Sequence, residues 1–298
     1  MIPLDKLFPL NQLPRKALNR LRQRPDVQRA LTPFGRSLEP ERWIFVVGCY
    51  NSGTTLLANL LDAHPQIAGL PIEGVNLTDS LPRPEEFGWV RMWCRCLDEV
   101  RLEPGPGMAE RADRAKRQWS IWYPKDAPNL VEKSIANTAR MPFLQHYFQP
   151  AYFIHIVRNG YAVAEGIRRK ADPRRWKNPE YGAPYPIELC AEQWRVSDEV
   201  VEQDRLKLDR FLQVYYEELT AEPRTVMDRI IRFLELPPLP AEAIDRSWTV
   251  QGIHSPIRNM NAQSIDRLTS ADIERIHQEA KERLAQHGYD HMQVEMEQ

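Results

Sequence analysis

Short continuous apolar runs, each followed by residues at helical spacing, organise the middle of this 298-residue chain. The run from Trp43 to Gly48 contains no charged residue, which is typical of a buried strand in a parallel sheet. Leucines then recur three and four residues apart between Thr54 and Ala63, as on one face of a helix. This pattern predicts a strand, a glycine-bearing loop and a helix, in that order.

Two further strand-to-helix units follow. Residues 152–157 are rich in aromatic and β-branched side chains and predict a strand, and a helix is predicted over 162–169. A third unit has a strand at 211–215 and a helix at 223–234, and a charged amphipathic helix over 269–288 closes the chain. Alternating strands and helices predict an α/β fold of three layers with a central parallel sheet.

Two segments lie outside the strand-to-helix units. Residues 1–40 combine prolines, basic side chains and leucines, and we interpret them as an N-terminal arm before a single domain at 41–298. The arm could be a membrane-surface helix, but a solvated helix packed on the domain through Leu18 and Leu21 is favoured. The proline- and aromatic-rich segment 173–186 predicts a surface loop that could cover the site.

Composition and charge narrow the class of protein. Hydrophobic residues make up 42% and charged residues 27%, and the net charge of −1 argues against a general nucleic-acid-binding protein. The four cysteines and the histidines show no metal-ligand spacing, so we expect free thiols and no metal centre. No apolar run approaches the roughly 18 residues that span a bilayer, and the chain starts without a secretory apolar segment. We therefore expect a cytoplasmic protein without a membrane anchor.

The stretch GCYNSGTT, residues 48–55, carries the clearest chemistry. Gly48 and Gly53 have the spacing of a phosphate-binding loop between strand and helix, where backbone N–H groups and a helix N terminus form an anion site. Thr54 occupies the position of the lysine that neutralises the β- and γ-phosphates of a nucleoside triphosphate. The loop therefore predicts a phosphate ligand that is not handled as ATP is.

Three segments resemble the signature segments of the sulfotransferases. They are GCYNSGTTLLANLLDAHP, FIHIVRNGYAVAEGIRRK and VYYEELTAEPRTVMDRIIRFLEL, and the resemblance spans roughly residues 43–290. It implies a P-loop NTPase-like sulfotransferase fold and the donor 3′-phosphoadenosine 5′-phosphosulfate (PAPS), with adenosine 3′,5′-bisphosphate as product. It also implies that the donor's 5′-phosphosulfate contacts Asn51, Ser52, Gly53, Thr54, Thr55 and Leu56.

The resemblance implies nucleotide contacts outside the loop as well. Arg158 matches the family arginine that grips the 3′-phosphate, for which a planar guanidinium is well suited. Tyr216 matches a family tyrosine near the nucleotide. The segment HSPIRNMNAQS matches the position of a loop that covers the nucleotide in the family. It supplies Arg258 as the candidate 3′-phosphate contact, which Asn259 or Ser255 would assist.

Two positions depart from the family pattern. Gly166 stands where the family has a serine, eight residues after Arg158. Asn51 stands where many cytosolic members have a lysine and the tyrosylprotein branch has an arginine. An amide stabilises charge on a leaving phosphate less than a cation does, so we expect Lys133 to carry most of this work.

The catalytic positions are closest to the tyrosylprotein branch. That branch has a glutamate base shortly after D-A-H-P, and DAHPQIAGLPIEG places Glu73 there with one inserted residue. Lys133 lies 25 residues before Arg158, the spacing of that branch's catalytic lysine. The resemblance thus implies Glu73 as general base and Lys133 as the cation that stabilises the transition state.

Together these features predict a PAPS-dependent sulfotransferase. It would transfer a sulfonate group to a hydroxyl or amine of a small-molecule acceptor, and it would need no metal. Two alternatives stay open at this point. One is a divergent P-loop kinase, which Thr54 argues against, and the other is a nucleotide-binding homologue without catalysis, to which Asn51 and Gly166 lend support.

Overall fold

A five-stranded parallel sheet forms the centre of the part of the chain that the structure describes. The structure is a computed structural model and describes residues 15–182, 184–245, 248–250 and 253–290. The strand order is β2-β3-β1-β4-β5, and every neighbouring pair is parallel. The strands are β1 Arg42–Gly48, β2 Ile67–Gly69, β3 Asn129–Glu132, β4 Ala151–Val157 and β5 Phe211–Tyr215.

Helices connect the strands and cover the sheet. The α-helices are α1 Arg15–Arg22, α2 Pro25–Leu31, α3 Thr54–Asp62, α4 Leu97–Val100, α5 Met108–Trp119, α6 Met141–Tyr147, α7 Gly160–Lys170, α8 Ile187–Asp204, α9 Tyr216–Ala221, α10 Pro223–Phe233, α11 Ala241–Asp245, α12 Asn261–Ile265 and α13 Ser270–Gln286. Short 3₁₀ helices include Gly74–Asn76, Pro84–Phe87, Trp93–Cys96, Ile135–Arg140 and Arg174–Trp176. An antiparallel pair, β6 Trp248–Val250 and β7 Ile253–Ser255, lies outside the main sheet.

Alternate side chains of β1 enter apolar clusters on opposite faces of the sheet, as the two-residue period of a strand requires. Ile44 and Val46 pack in one cluster with residues of α3 and α10. Trp43 and Phe45 pack in the other with residues of α5 and α6, where the Trp43 and Phe148 ring centroids are 5.1 Å apart. Both faces are therefore covered, which confirms the predicted three-layer α/β fold.

The strand-to-helix units have the predicted order, with differences at their ends. Helix α7 begins at Gly160 rather than 162, because the Asn159 side chain accepts hydrogen bonds from the Tyr161 and Ala162 N–H groups. The third unit contains two helices, since Pro223 can start a helix but cannot continue one. Strand β3 has only four residues and lacked a recognisable pattern.

The described part of the N-terminal arm contacts the domain. The Arg22 guanidinium carbon lies 4.5 Å from the centroid of the Trp122 ring, and Gln28 Nε2 donates to Asn76 O at 2.9 Å. Leu18 and Leu21 are half-buried, in keeping with the favoured interpretation of a packed helix. Residues 1–14 lie outside the described residues, and the division at residue 40 stays a prediction. Within the described residues, no helix is both long and apolar enough to cross a bilayer.

Candidate active site

The candidate residues lie in a row along the carboxyl edge of the sheet. Glu73 follows β2, Lys133 follows β3, the glycine-bearing loop follows β1, Arg158 follows β4 and Tyr216 follows β5. Neighbouring strands lie about 4.8 Å apart, so the strand order sets the order of these side chains. The connections change direction at β1, and open α/β sheets bind ligands at such a reversal.

Two glycines allow the loop after β1 to fold as it does. Gly48 has φ 146° and Gly53 has φ 96°, both in the left-handed region. A Cβ at Gly48 would lie 2.5 Å from Ile156 O, and one at Gly53 would lie 2.6 Å from Tyr216 Cδ2. The loop therefore packs against both β4 and the residue after β5, and larger residues are excluded at its two ends.

The loop leads directly into helix α3, whose first N–H groups are available for an anion. Among the described residues, no side chain caps this helix terminus. The side chains of Ser52 and Thr54 are buried and Thr55 is half-buried. The Leu56 side chain lies in the apolar core, so only its backbone could face a ligand. Contacts of these residues with a donor stay a prediction.

Arg158 is held between the loop and the C-terminal part of the chain. Its Nη1 donates to Asn51 O at 2.6 Å and its Nε to Asn261 Oδ1 at 2.8 Å. Its guanidinium carbon lies 4.3 Å from the centroid of the Tyr216 ring. Its side chain is buried, and Nη2 has no hydrogen-bond acceptor among the described residues. An unsatisfied buried donor of this kind is costly and favours binding of an anion.

Tyr216 connects the loop to the segment predicted to cover the nucleotide. Its hydroxyl donates to Arg258 O at 3.2 Å and accepts from Met260 N at 3.1 Å. The Arg258 side chain is exposed, and Asn259 Oδ1 accepts from Asn261 N at 2.8 Å. The roles predicted for Arg258 and Asn259 stay predictions.

Asn261 is the residue of this segment that contacts Arg158, and the sequence pattern did not indicate it. Its Oδ1 accepts from Arg158, and its Nδ2 donates to Glu217 Oε1 at 2.6 Å. The contact joins residues 103 positions apart, and the flanking sequence gave no periodicity that could have identified it.

The two positions that depart from the family pattern touch each other. A Cβ on Gly166 would lie 2.9 Å from Asn51 Cγ, so the Asn51 carboxamide packs directly on the glycine. Lys170 Nζ donates to Asn51 Oδ1 at 2.8 Å. Burial, followed by the charges of Arg91, Arg169 and Arg158, lowers the pKa of Lys170 to about 8. Lys170 was not predicted either, because the predicted helix ended at 169, one residue before it, whereas the observed helix includes it.

Glu73 and Lys133, the two predicted catalytic residues, are in direct contact. Lys133 Nζ lies 2.6 Å from Glu73 Oε1. The Lys133 side chain is 14% exposed and the Glu73 side chain is 32% exposed, so solvent can reach the pair. The carboxylate and the ammonium therefore stand together beside the phosphate loop.

Glu132 holds the backbone next to this pair, and it was not predicted from the sequence. Its Oε1 accepts from Gly74 N at 2.7 Å and from the Ser134 hydroxyl, and its Oε2 accepts from the Asn137 amide. Trp119 Nε1 donates to Gly74 O at 2.8 Å. These bonds fix the backbone immediately after Glu73. Burial raises the pKa of Glu132 to about 7, although its donors oppose the shift.

Tyr50 and Glu85 both interact electrostatically with Glu73 and Arg91. The Arg91 guanidinium carbon lies 5.6 Å from the centroid of the buried Tyr50 ring. Burial, together with the charges of Glu85 and Glu73, raises the pKa of Tyr50 well above its ordinary value. Arg91 has φ 59°, which is uncommon for a non-glycine residue.

No metal centre is evident in the part of the chain that the structure describes. Within those ranges, no three His, Cys, Asp or Glu side chains come together as ligands.

Comparison with known proteins assigns the chain to a family. A family model described as "Sulfotransferase family" matches residues 43–240, which include the loop, Glu73, Lys133, Arg158 and Tyr216. The chain belongs to the sulfotransferase family. A second model, described as a sulfotransferase domain, matches residues 187–298 of this sulfotransferase-family protein.

Several curated relatives of this sulfotransferase-family protein are protein-tyrosine sulfotransferases. It is 29% identical over 202 residues to the protein-tyrosine sulfotransferase of Drosophila melanogaster and 28% identical over 201 residues to protein-tyrosine sulfotransferase 1 of Danio rerio. Each match covers 65% of this chain, but 38% and 53% of the respective relative. The chain thus spans about half the length of these relatives or less.

Solved structures of sulfotransferases share the fold. The sulfotransferase domain of the Synechococcus PCC 7002 olefin synthase aligns with a TM-score of 0.51 and 23% identity, covering 80% of this chain and 94% of that domain. A Mycobacterium avium sulfotransferase aligns with a TM-score of 0.52 and 16% identity, covering 93% of this chain and 88% of that one. The predicted sulfotransferase fold is confirmed.

Proposed function

We propose that this protein transfers a sulfonate group from PAPS to a hydroxyl or amine of an acceptor, with Glu73 and Lys133 as its catalytic residues. The observation that carries the proposal is the 2.6 Å contact between Lys133 Nζ and Glu73 Oε1, one strand away from the phosphate loop. A base and a cation are the two groups that sulfonate transfer needs from a protein. When bound, the donor supplies the activated sulfonate.

The residues along the sheet edge fit the nucleotide. The uncapped N terminus of α3 and the unsatisfied Nη2 of Arg158 both favour phosphate groups. Residues 51–56 would hold the 5′-phosphosulfate, and Arg158 would bind the 3′-phosphate. The Tyr216 ring fixes the Arg158 guanidinium and would keep it oriented. Gly166, Arg258 and Asn259 would line the same nucleotide site.

Glu73 and Lys133 divide the chemistry between them. In the pair, the ammonium neutralises the carboxylate and fixes its orientation. When an acceptor is bound, Glu73 takes the proton of its hydroxyl or amine. Lys133 then stabilises negative charge that develops around the transferring sulfonate. General-base catalysis of this kind contributes about 10²- to 10⁴-fold to the rate.

The acceptor and the cellular location are predictions from the sequence. We propose a small-molecule acceptor, while the names of the curated relatives make a tyrosine side chain the second candidate. Both would present a hydroxyl or amine proton to Glu73, so the same two residues would serve either acceptor. The proposed location is cytoplasmic.

Two measurements on the full chain test the proposal. Calorimetry compares adenosine 3′,5′-bisphosphate with ATP plus magnesium, and we expect binding of the bisphosphate alone. Isotope-labelled PAPS is then incubated with small phenols, alcohols, amines and tyrosine peptides, and the products are followed by mass. Preferential binding of ATP with magnesium would favour a kinase instead. Bisphosphate binding without transfer to any acceptor would favour a homologue that lacks catalysis.

A further inference from the structure

We propose that Lys170 supplies, from helix α7, the positive charge that the phosphate loop lacks at Asn51, and that Asn51 positions this ammonium toward the 5′-phosphosulfate of the donor. The inference rests on the proposed function, which it deepens. It assigns Lys170 as a donor-binding residue and Asn51 as the side chain that holds it at the loop.

The contact between the two side chains sets the orientation of both. Lys170 Nζ donates to Asn51 Oδ1 at 2.8 Å, and because an ammonium can only donate, the carboxamide oxygen must face Lys170. The amide nitrogen therefore points away from it. Asn51 Nδ2 is buried and has no acceptor among the described residues. A phosphoryl oxygen would satisfy this donor beside the ammonium.

Gly166 explains why the ammonium can reach the loop. A Cβ at this position would come within 2.9 Å of Asn51 Cγ and 3.0 Å of Asn51 Nδ2. A serine in place of Gly166 would thus displace the carboxamide that Lys170 contacts. The two departures from the family pattern form one arrangement, in which the loop cation and the helix serine are absent together. Lys170 lies one helical turn after the glycine and compensates for both.

The charges around Lys170 are mostly positive, which favours an anionic ligand. The charges of Arg91, Arg169 and Arg158 disfavour the charged form of Lys170, whereas that of Glu165 favours it. Glu165 Oε1 accepts from Arg169 Nε at 2.8 Å, so its charge is already partly compensated. Phosphate groups would neutralise this excess of cations and restore a higher pKa to Lys170.

A purely structural role for Lys170 predicts a different result from the proposed one. If Lys170 only held Asn51 and the loop in shape, its removal would also disturb Arg158, which donates to Asn51 O, and would weaken binding of both a 5′- and a 3′-phosphate. If it contacts the 5′-phosphosulfate, its removal weakens only ligands that carry a 5′-phosphate. Adenosine 3′,5′-bisphosphate and adenosine 3′-monophosphate differ by that group alone, so they separate the two roles.

The test is calorimetry with both nucleotides on the wild-type chain and on Lys170→Met. We expect the variant to bind the bisphosphate roughly 10- to 100-fold more weakly, the range for one charged hydrogen bond, and the monophosphate as wild type does. Arg174→Ala, which removes an exposed cation four residues further along, serves as the matched control and should bind both nucleotides normally. Circular dichroism confirms that each variant is folded.

A second variant moves the charge back into the loop. Asn51→Lys in the Lys170→Met background should recover most of the lost bisphosphate affinity. Equal weakening of both nucleotides by Lys170→Met, or unchanged bisphosphate binding, would contradict the inference while leaving the proposed function intact. If the wild-type chain binds neither nucleotide, the proposed function fails, and the inference fails with it.

Discussion

Lys133 Nζ and Glu73 Oε1 lie 2.6 Å apart although the two residues are 60 positions apart in the chain. Each follows the end of a short strand, and β2 and β3 are neighbours at one side of the sheet. Parallel pairing brings the residues after both strands to the same edge. The contact thus follows from the topology, and it places a carboxylate and an ammonium beside the loop after β1.

Replacement of Glu73 by glutamine should abolish turnover and leave donor binding intact. The amide keeps the shape of the side chain but cannot accept a proton, so we expect kcat to fall by about 10²- to 10⁴-fold. Labelled-donor kinetics measure the rate, and calorimetry with adenosine 3′,5′-bisphosphate measures binding. Glu86→Gln, a change at an exposed carboxylate, is the control. Turnover close to wild type in the Glu73 variant would remove this residue from the reaction.

Removal of the Lys133 ammonium should slow the chemical step in a way that depends on Glu73. We expect Lys133→Ala to lower kcat by about 10²-fold or more, because a preorganised cation near the developing charge is lost. In a double-mutant cycle with Glu73→Gln, the effects should not add, since the two groups act as a unit. Lys177→Ala, on an exposed lysine, should leave kcat unchanged. Strictly additive effects would show that the contact has no role in turnover.

Glu132→Gln should impair catalysis by displacing Glu73 rather than by removing a reacting group. The new amide would present a donor to Gly74 N–H or to the Asn137 amide, which now both donate to the carboxylate. We expect kcat to fall while the affinity for adenosine 3′,5′-bisphosphate stays unchanged. A matched loss of nucleotide affinity would instead indicate general damage to the sheet edge.

The raised pKa of Glu132 gives the same substitution a second, independent readout. The pKa of this carboxyl is about 7 in the folded chain against an ordinary value of 4.5. The folded state then holds a proton that the unfolded state releases, so stability should fall as pH rises across this window. Chemical unfolding between pH 4.5 and 7 should show a weaker pH dependence for Glu132→Gln than for wild type. Identical slopes would contradict this assignment.

Sequence patterns predicted the parts of this protein that depend on local order. Long apolar strands β1 and β4, the glycine-bearing loop and the helices after them follow from periodicity and turn residues. Glu73 and Lys133 were identified by resemblance, and their direct contact agrees with a shared site. Strand β3 is only four residues long and shows no period, so nothing in the pattern fixed the strand order that joins them.

Residues that act through distant contacts were not predictable in the same way. Asn261 meets Arg158 across 103 positions, and Glu132 meets Gly74 across 58. The spacing of nearby residues does not indicate either contact, because both depend on how distant elements pack together. Lys170 is an intermediate case, since it directly follows the predicted helix 162–169, but its contact with Asn51, 119 positions away, could not be predicted.

Introduction of the family's serine at Gly166 should weaken donor binding in this chain. A Cβ there would lie 2.9 Å from Asn51 Cγ, so the carboxamide and the Lys170 ammonium would have to move. We expect Gly166→Ser to reduce bisphosphate affinity. Adding Asn51→Ala to this variant should relieve the steric collision, but it should not restore affinity, because Lys170 then lacks the Asn51 side chain that positions its ammonium. Fluorescence or calorimetric titration measures both. Tighter binding by Gly166→Ser alone would show that the glycine is not coupled to Asn51.

Bisphosphate affinity should fall as pH rises through about 8, the pKa of Lys170 in the free protein. This pKa is below the ordinary lysine value because of burial and the facing charges of Arg91, Arg169 and Arg158, with Glu165 opposing them. Above it, the ammonium loses its proton, and binding must restore that proton. The affinity should then decrease by at most roughly tenfold per pH unit.

Titrations between pH 7 and 9.5 test this pH dependence. They avoid ionisation of the phosphate itself, because the second pKa of comparable phosphate esters is near 6, about one unit below this range. Lys170→Arg keeps a cation that does not titrate in this range, so its affinity should stay flat, and an equal decline in both proteins would assign the pH dependence to another group.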